Sequence, residues 1–130
     1  MKRTIEIDNK KIEMASNALT PLAYTEIFKN DFMRVILGFR PLIGVKPEDY
    51  TEEQLALSNA RAGKFSELAF VFAKQAELKE AAAIMELTKR DYYNWLANFG
   101  TNAFKDVNVI NDLLALWLDN TNNNVEQKNA

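Results

Sequence analysis

The 130-residue chain contains neither cysteine nor histidine. The first absence removes disulfides, thiolate metal sites and cysteine nucleophiles together. The second removes the commonest general base and the commonest metal ligand. Glycine is scarce, and Gly38, Gly44, Gly63 and Gly100 are too scattered to cradle a phosphate. No run approaches the roughly 18 apolar residues of a membrane span. The opening MKRTIEIDNKK has no apolar stretch behind its basic residues, so it does not read as a signal peptide. A cytoplasmic protein is expected. An excess of one charge is missing too: 16 basic and 18 acidic residues are interspersed, with a net charge of −2 and no basic stripe to follow a phosphate backbone. The acidic pairs Glu48/Asp49 and Glu52/Glu53 lie in a solvated, turn-rich segment with no apolar wall to raise a carboxyl pKa. They read as solvated charge and helix caps. Enzyme, cofactor, metal and nucleic-acid functions are all disfavoured on these grounds.

What is present is an ordinary globular balance, 48% hydrophobic and 26% charged, in a chain of single-domain length. The patterning predicts a mainly α, small compact helical domain with a short N-terminal β-hairpin. Ile5 and Ile7, then Ile12 and Met14, alternate with polar residues, as a half-buried strand pair does. Pairing Ile7 with Ile12 and Ile5 with Met14 makes Asn9-Lys10 the turn. Thr20-Pro21 starts a helix, Thr20 as N-cap, that carries Tyr24, Ile27, Phe28, Phe32, Val35 and Ile36 as far as Leu37, with Gly38 as its stop. From Phe39 to Tyr50 the chain holds Pro41, Gly44 and Pro47 and reads as a mobile loop. Thr51-Glu52-Glu53-Gln54 has capping-box spacing, for a short helix toward Asn59.

The stretch from Arg61 to Leu78, RAGKFSELAFVFAKQAEL, organises the rest. Phe65, Leu68, Ala69, Phe72 and Ala76 share one helix face, while Glu67, Lys74 and Glu77 fill the opposite arc. Phe70 points into that polar arc. Either the helix is central and covered on more than one side, or Phe70 lies on a surface where a partner docks. A bend or break is expected between Leu78 and Leu87. Thr88 with Asp91 caps a further helix carrying Tyr92, Trp95, Leu96 and Phe99 toward Gly100. A last helix from Asp106 to 119 places Val107, Ile110, Leu114 and Trp117 on one face. Residues 1–119 thus form the domain. Residues 120–130, rich in Asn, read as a disordered polar tail.

The order TIEIDNKKIEMASNALTPLAYTEIFKNDF, LAFVFAKQA, YYNWLANF, NVINDLLALW resembles the tail assembly chaperones of long-tailed phages and prophages of Gram-positive bacteria. The resemblance runs from Thr4 to about 120. It implies a non-enzymatic role in virion assembly, absent from the finished particle: coating the tape measure protein in the host cytoplasm until the tail tube polymerises. It also implies, in many such phages, a longer form made by translational frameshift that recruits the tail tube protein. A homo-oligomer is compatible with this role. The alternative is a minor structural subunit of a phage tail or capsid, which would stay in the particle. The residues expected to meet a partner are Phe70 with Lys74, and the loop around Phe39, Leu42 and Ile43.

Overall fold

In the computed structural model, which describes the backbone of residues 2–129 and side chains as far as Leu118, the hairpin turns at Asp8-Asn9. Their φ angles are 53° and 62°. A two-residue turn of this kind needs the left-handed conformation twice, and Asp and Asn tolerate it better than Lys10 would. Strand β1 (Lys2–Ile7) therefore pairs antiparallel with β2 (Lys10–Ala15) in a register that sets Ile5 opposite Ile12 and Ile7 opposite Lys10. The predicted register is thus corrected by two residues. An even shift leaves every side chain on its expected face. Ile5, Ile7 and Met14 are accordingly buried. Lys10, brought to the turn, donates to the Asn98 carbonyl and lies 5.0 Å over the Phe99 ring.

The single helix expected up to Leu37 is two. Helix α1 (Thr20–Phe28) stops at Lys29, whose φ is 56° and whose amide donates to the Thr25 carbonyl at 2.8 Å. Asp31 then accepts from the Met33 amide at 3.1 Å and starts α2 (Phe32–Leu37). Asn30-Asp31 offers the backbone side-chain partners that compete with helix. The apolar periodicity runs on across the break because both helices face one core: the Tyr24 ring touches those of Phe28 and Phe32 at 5.0 and 5.6 Å. Thr20 is the first helical residue rather than the cap. Its hydroxyl accepts from the Asn17 amide at 3.0 Å and pairs with the buried Gln75.

Two capping boxes form as their spacing predicts. Thr51 and Gln54 open α3 (Glu52–Ala60), and Thr88 and Asp91 open α6 (Lys89–Leu96). Between them lie α4 (Ala62–Glu77) and, after a break at residues 78–80, α5 (Ala81–Met85). Helix α4 is the centre of the molecule. Nine of its sixteen residues are buried, because β2, α1, α3 and α6 pack around it. The final helix, α7 (Val107–Asn129), also reaches α4 and lies along β1. Its burial is broader than one stripe: Val109, Leu113 and Leu116 are in the core beside Ile110 and Leu114, while Val107 and Trp117 are half-buried. Its backbone runs past the predicted end at 119. The side chains of the expected polar tail, 120–130, fall outside the described residues.

Candidate functional site

The predicted partner contacts divide sharply. Phe70 is wholly buried. Helix α6 covers the arc of α4 that the helical wheel leaves to solvent, and Phe70 meets Tyr92 and Trp95 edge-on at 5.5 and 5.7 Å, with Phe28 at 6.4 Å. Its assignment to a docking surface is therefore corrected to the core. The polar residues around it are explained by their own partners. Glu67 accepts from the Tyr24 hydroxyl at 2.7 Å and pairs with Lys64 at 3.4 Å. Lys74 pairs with Glu77 at 3.0 Å and is half-buried, its side chain 20% exposed.

The loop from Phe39 is also corrected. Phe39 and Leu42 are buried, Phe39 stacked on Phe65 with ring centroids 4.2 Å apart. A short 3-10 turn, Arg40–Leu42, points both side chains inward despite its proline. Ile43 is half-buried. Of the five predicted contacts, only Lys74 and Ile43 reach solvent, and they sit on separate elements.

The surface offers two other features. On α2, Met33 and Leu37 are 53% and 60% exposed. Four residues apart, they stand one above the other on one helix face. Arg34 on the same helix and Arg40 just after it are exposed, and the Arg61 guanidinium lies against Gly38, close enough that a Cβ there would meet it at 3.1 Å. None of the three arginines pairs with an acidic side chain among the described residues. The broad apolar side that the sequence carries as far as Leu37 thus includes an outward pair in a basic setting. A broad apolar arc exceeds what one core contact buries, and here the excess stays outside.

The second feature is an open, mostly apolar cleft of about 320 Å³, between Ala62 and Gly63 at the start of α4 and Leu96, Phe99 and Phe104 opposite. Ser66 and Thr101 bring hydroxyls to its lining, and that of Ser66 donates to the Gly63 carbonyl at 2.7 Å and accepts from Tyr92 at 2.6 Å. Burial raises the Tyr92 pKa, so this tyrosine keeps its proton. Among the described residues the Ser66 hydroxyl bonds only these two groups, and through Tyr92 it links α4 to α6.

No protein family, curated protein or solved structure matches this chain. Among the described residues no helix is long and apolar enough to cross a membrane, and no group of His, Cys, Asp or Glu could hold a metal ion.

Proposed function

We propose that this chain is a non-enzymatic tail assembly chaperone that binds the tape measure protein and keeps it soluble in the host cytoplasm until the tail tube forms around it. The order of the sequence motifs supports the family. The observation that carries the binding role is the α2 face, where Met33 and Leu37 stand exposed one turn apart, with Arg34 and Arg40 also exposed. A long helical client prone to aggregation exposes apolar stripes, and a small apolar face held on a rigid domain covers such a stripe at low cost in order. Many copies along one client gain from multivalency, so each contact need not be strong.

Co-expression with the tape measure protein tests this reading. The client is expected to move from pellet to supernatant and to co-purify with the chain. A client that stays insoluble at large chaperone excess overturns it. The same chain sought in purified particles separates the rival role: a structural subunit remains, whereas a chaperone is gone.

A further inference from the structure

The hairpin has one free edge whose chemistry fits a second copy of itself. Ile7 and Lys10 flank a two-residue turn, so they exchange ladder hydrogen bonds, and so do Ile5 with Ile12 and Arg3 with Met14. Lys2, Thr4 and Glu6 consequently aim their N–H and C=O groups away from β2. All three are exposed. Among the described residues no other backbone or side chain takes up those groups. Unpaired edges of this kind are templates for strand addition.

The geometry points to a symmetric dimer in which β1 pairs antiparallel with β1 of a second copy, the two-fold axis passing between the two Thr4 residues. This register sets Thr4 opposite Thr4 and Lys2 opposite Glu6, twice. It uses all three outward-facing residues as hydrogen-bonded pairs, places opposite charges across the seam at both ends, and continues the two hairpins into one four-stranded sheet. The β2 edge lacks this self-complementarity. Pairing β2 with itself about Glu13 would set two glutamates face to face, with Lys11 opposite Ala15. The inference rests on the hairpin alone and stands or falls apart from the client reading.

Sedimentation velocity of the full chain tests it. With rising concentration the mass is expected to move from 14.9 kDa toward twice that value by about 500 µM, in the range of small, weak interfaces. Thr4→Pro removes an N–H that faces away from β2, so the hairpin ladder survives and the dimer is lost. Glu6→Lys sets cation against Lys2 of the partner and also yields monomer, whereas the double reversal Lys2→Glu with Glu6→Lys restores the dimer. Circular dichroism of each variant checks that the fold is intact. A wild-type chain monomeric at about 500 µM overturns the proposal, as does a folded Thr4→Pro chain that still dimerises or a double reversal that stays monomeric. Unlimited growth into polymers also overturns it, because it would mean β1 adding to β2 of the next copy.

Discussion

The ring of Phe39 lies flat on that of Phe65, centroids 4.2 Å apart and planes 16° from parallel. This contact ties the segment after α2 to the first turn of α4 and turns an apparent loop into part of the core. Phe39→Ala is expected to cost about 3–5 kcal/mol, as for a fully buried phenylalanine, read from the midpoint of urea unfolding. A loss under about 1 kcal/mol would mean that the segment releases the ring in solution. Phe70→Asp is expected to abolish folding altogether, since it would place an unpaired charge among Tyr92, Trp95 and Phe28.

The turn makes a separate prediction. Asn9→Ala is expected to cost about 1 kcal/mol, because the left-handed conformation penalises a Cβ without a compensating local hydrogen bond. Asn9→Gly carries no such penalty. Asp8→Ala is expected to cost more than Asn9→Ala, because the Asp8 carboxylate also accepts from the Gly100 amide at 2.6 Å and ties the hairpin to the end of the α6 region. Were the turn at Asn9-Lys10, Asp8→Ala would be mild and Lys10→Gly would stabilise. Thermal melts of the four variants decide between the two.

Helix starts and the hairpin were legible in the sequence because their signals are local: capping boxes at Thr51 and Thr88, Thr20-Pro21, and alternating isoleucines. The two-residue error in register shows the limit of such reasoning, since alternation fixes the face of a strand but not its partner. The break at Lys29 was hidden for a similar reason. Apolar residues on both sides of it face one core, so periodicity passes through a bend that only Asn30-Asp31 betrays. Phe70 was open between core and docking surface for a different reason. A helical wheel describes one helix against one core, and whether a second element covers the far side is set by α6, nearly twenty residues downstream. The exposed α2 pair was hidden by the same limit, as a broad apolar arc does not say which part of it stays uncovered.

Alkaline pH tests the buried tyrosines. Burial raises the Tyr24 pKa, and the hydrogen bond to Glu67 raises it further, beyond the usual tyrosine range. Tyr92 and Tyr50 move in the same direction through burial. In the unfolded chain a tyrosine releases its proton near a pH of about 10. Above that the native state binds more protons than the unfolded one, so stability is complete below the unfolded pKa and falls as pH rises through and beyond it. Urea midpoints measured from neutral to strongly alkaline pH are expected to drop, and less steeply for Tyr24→Phe. A wild-type curve that stays flat would mean that solvent reaches these hydroxyls in the folded state.

The α2 face gives the prediction that bears most directly on function. Met33 and Leu37 are more than half exposed, so replacing both with aspartate removes little buried area. The fold is expected to change in stability by no more than about 0.5 kcal/mol per site, as at other surface positions. Client rescue is expected to be lost, because two hydrated carboxylates in place of the apolar pair must give up water to meet an apolar stripe. Gly63→Phe is the matched control. A Cβ at Gly63 meets nothing within 4 Å, so a side chain there can be accommodated while it obstructs the cleft beside it. Rescue by Gly63→Phe at the wild-type level, with loss in the α2 variant, places the client on α2. The opposite pattern would move the client to the cleft, and rescue by both variants would remove each surface from the binding role.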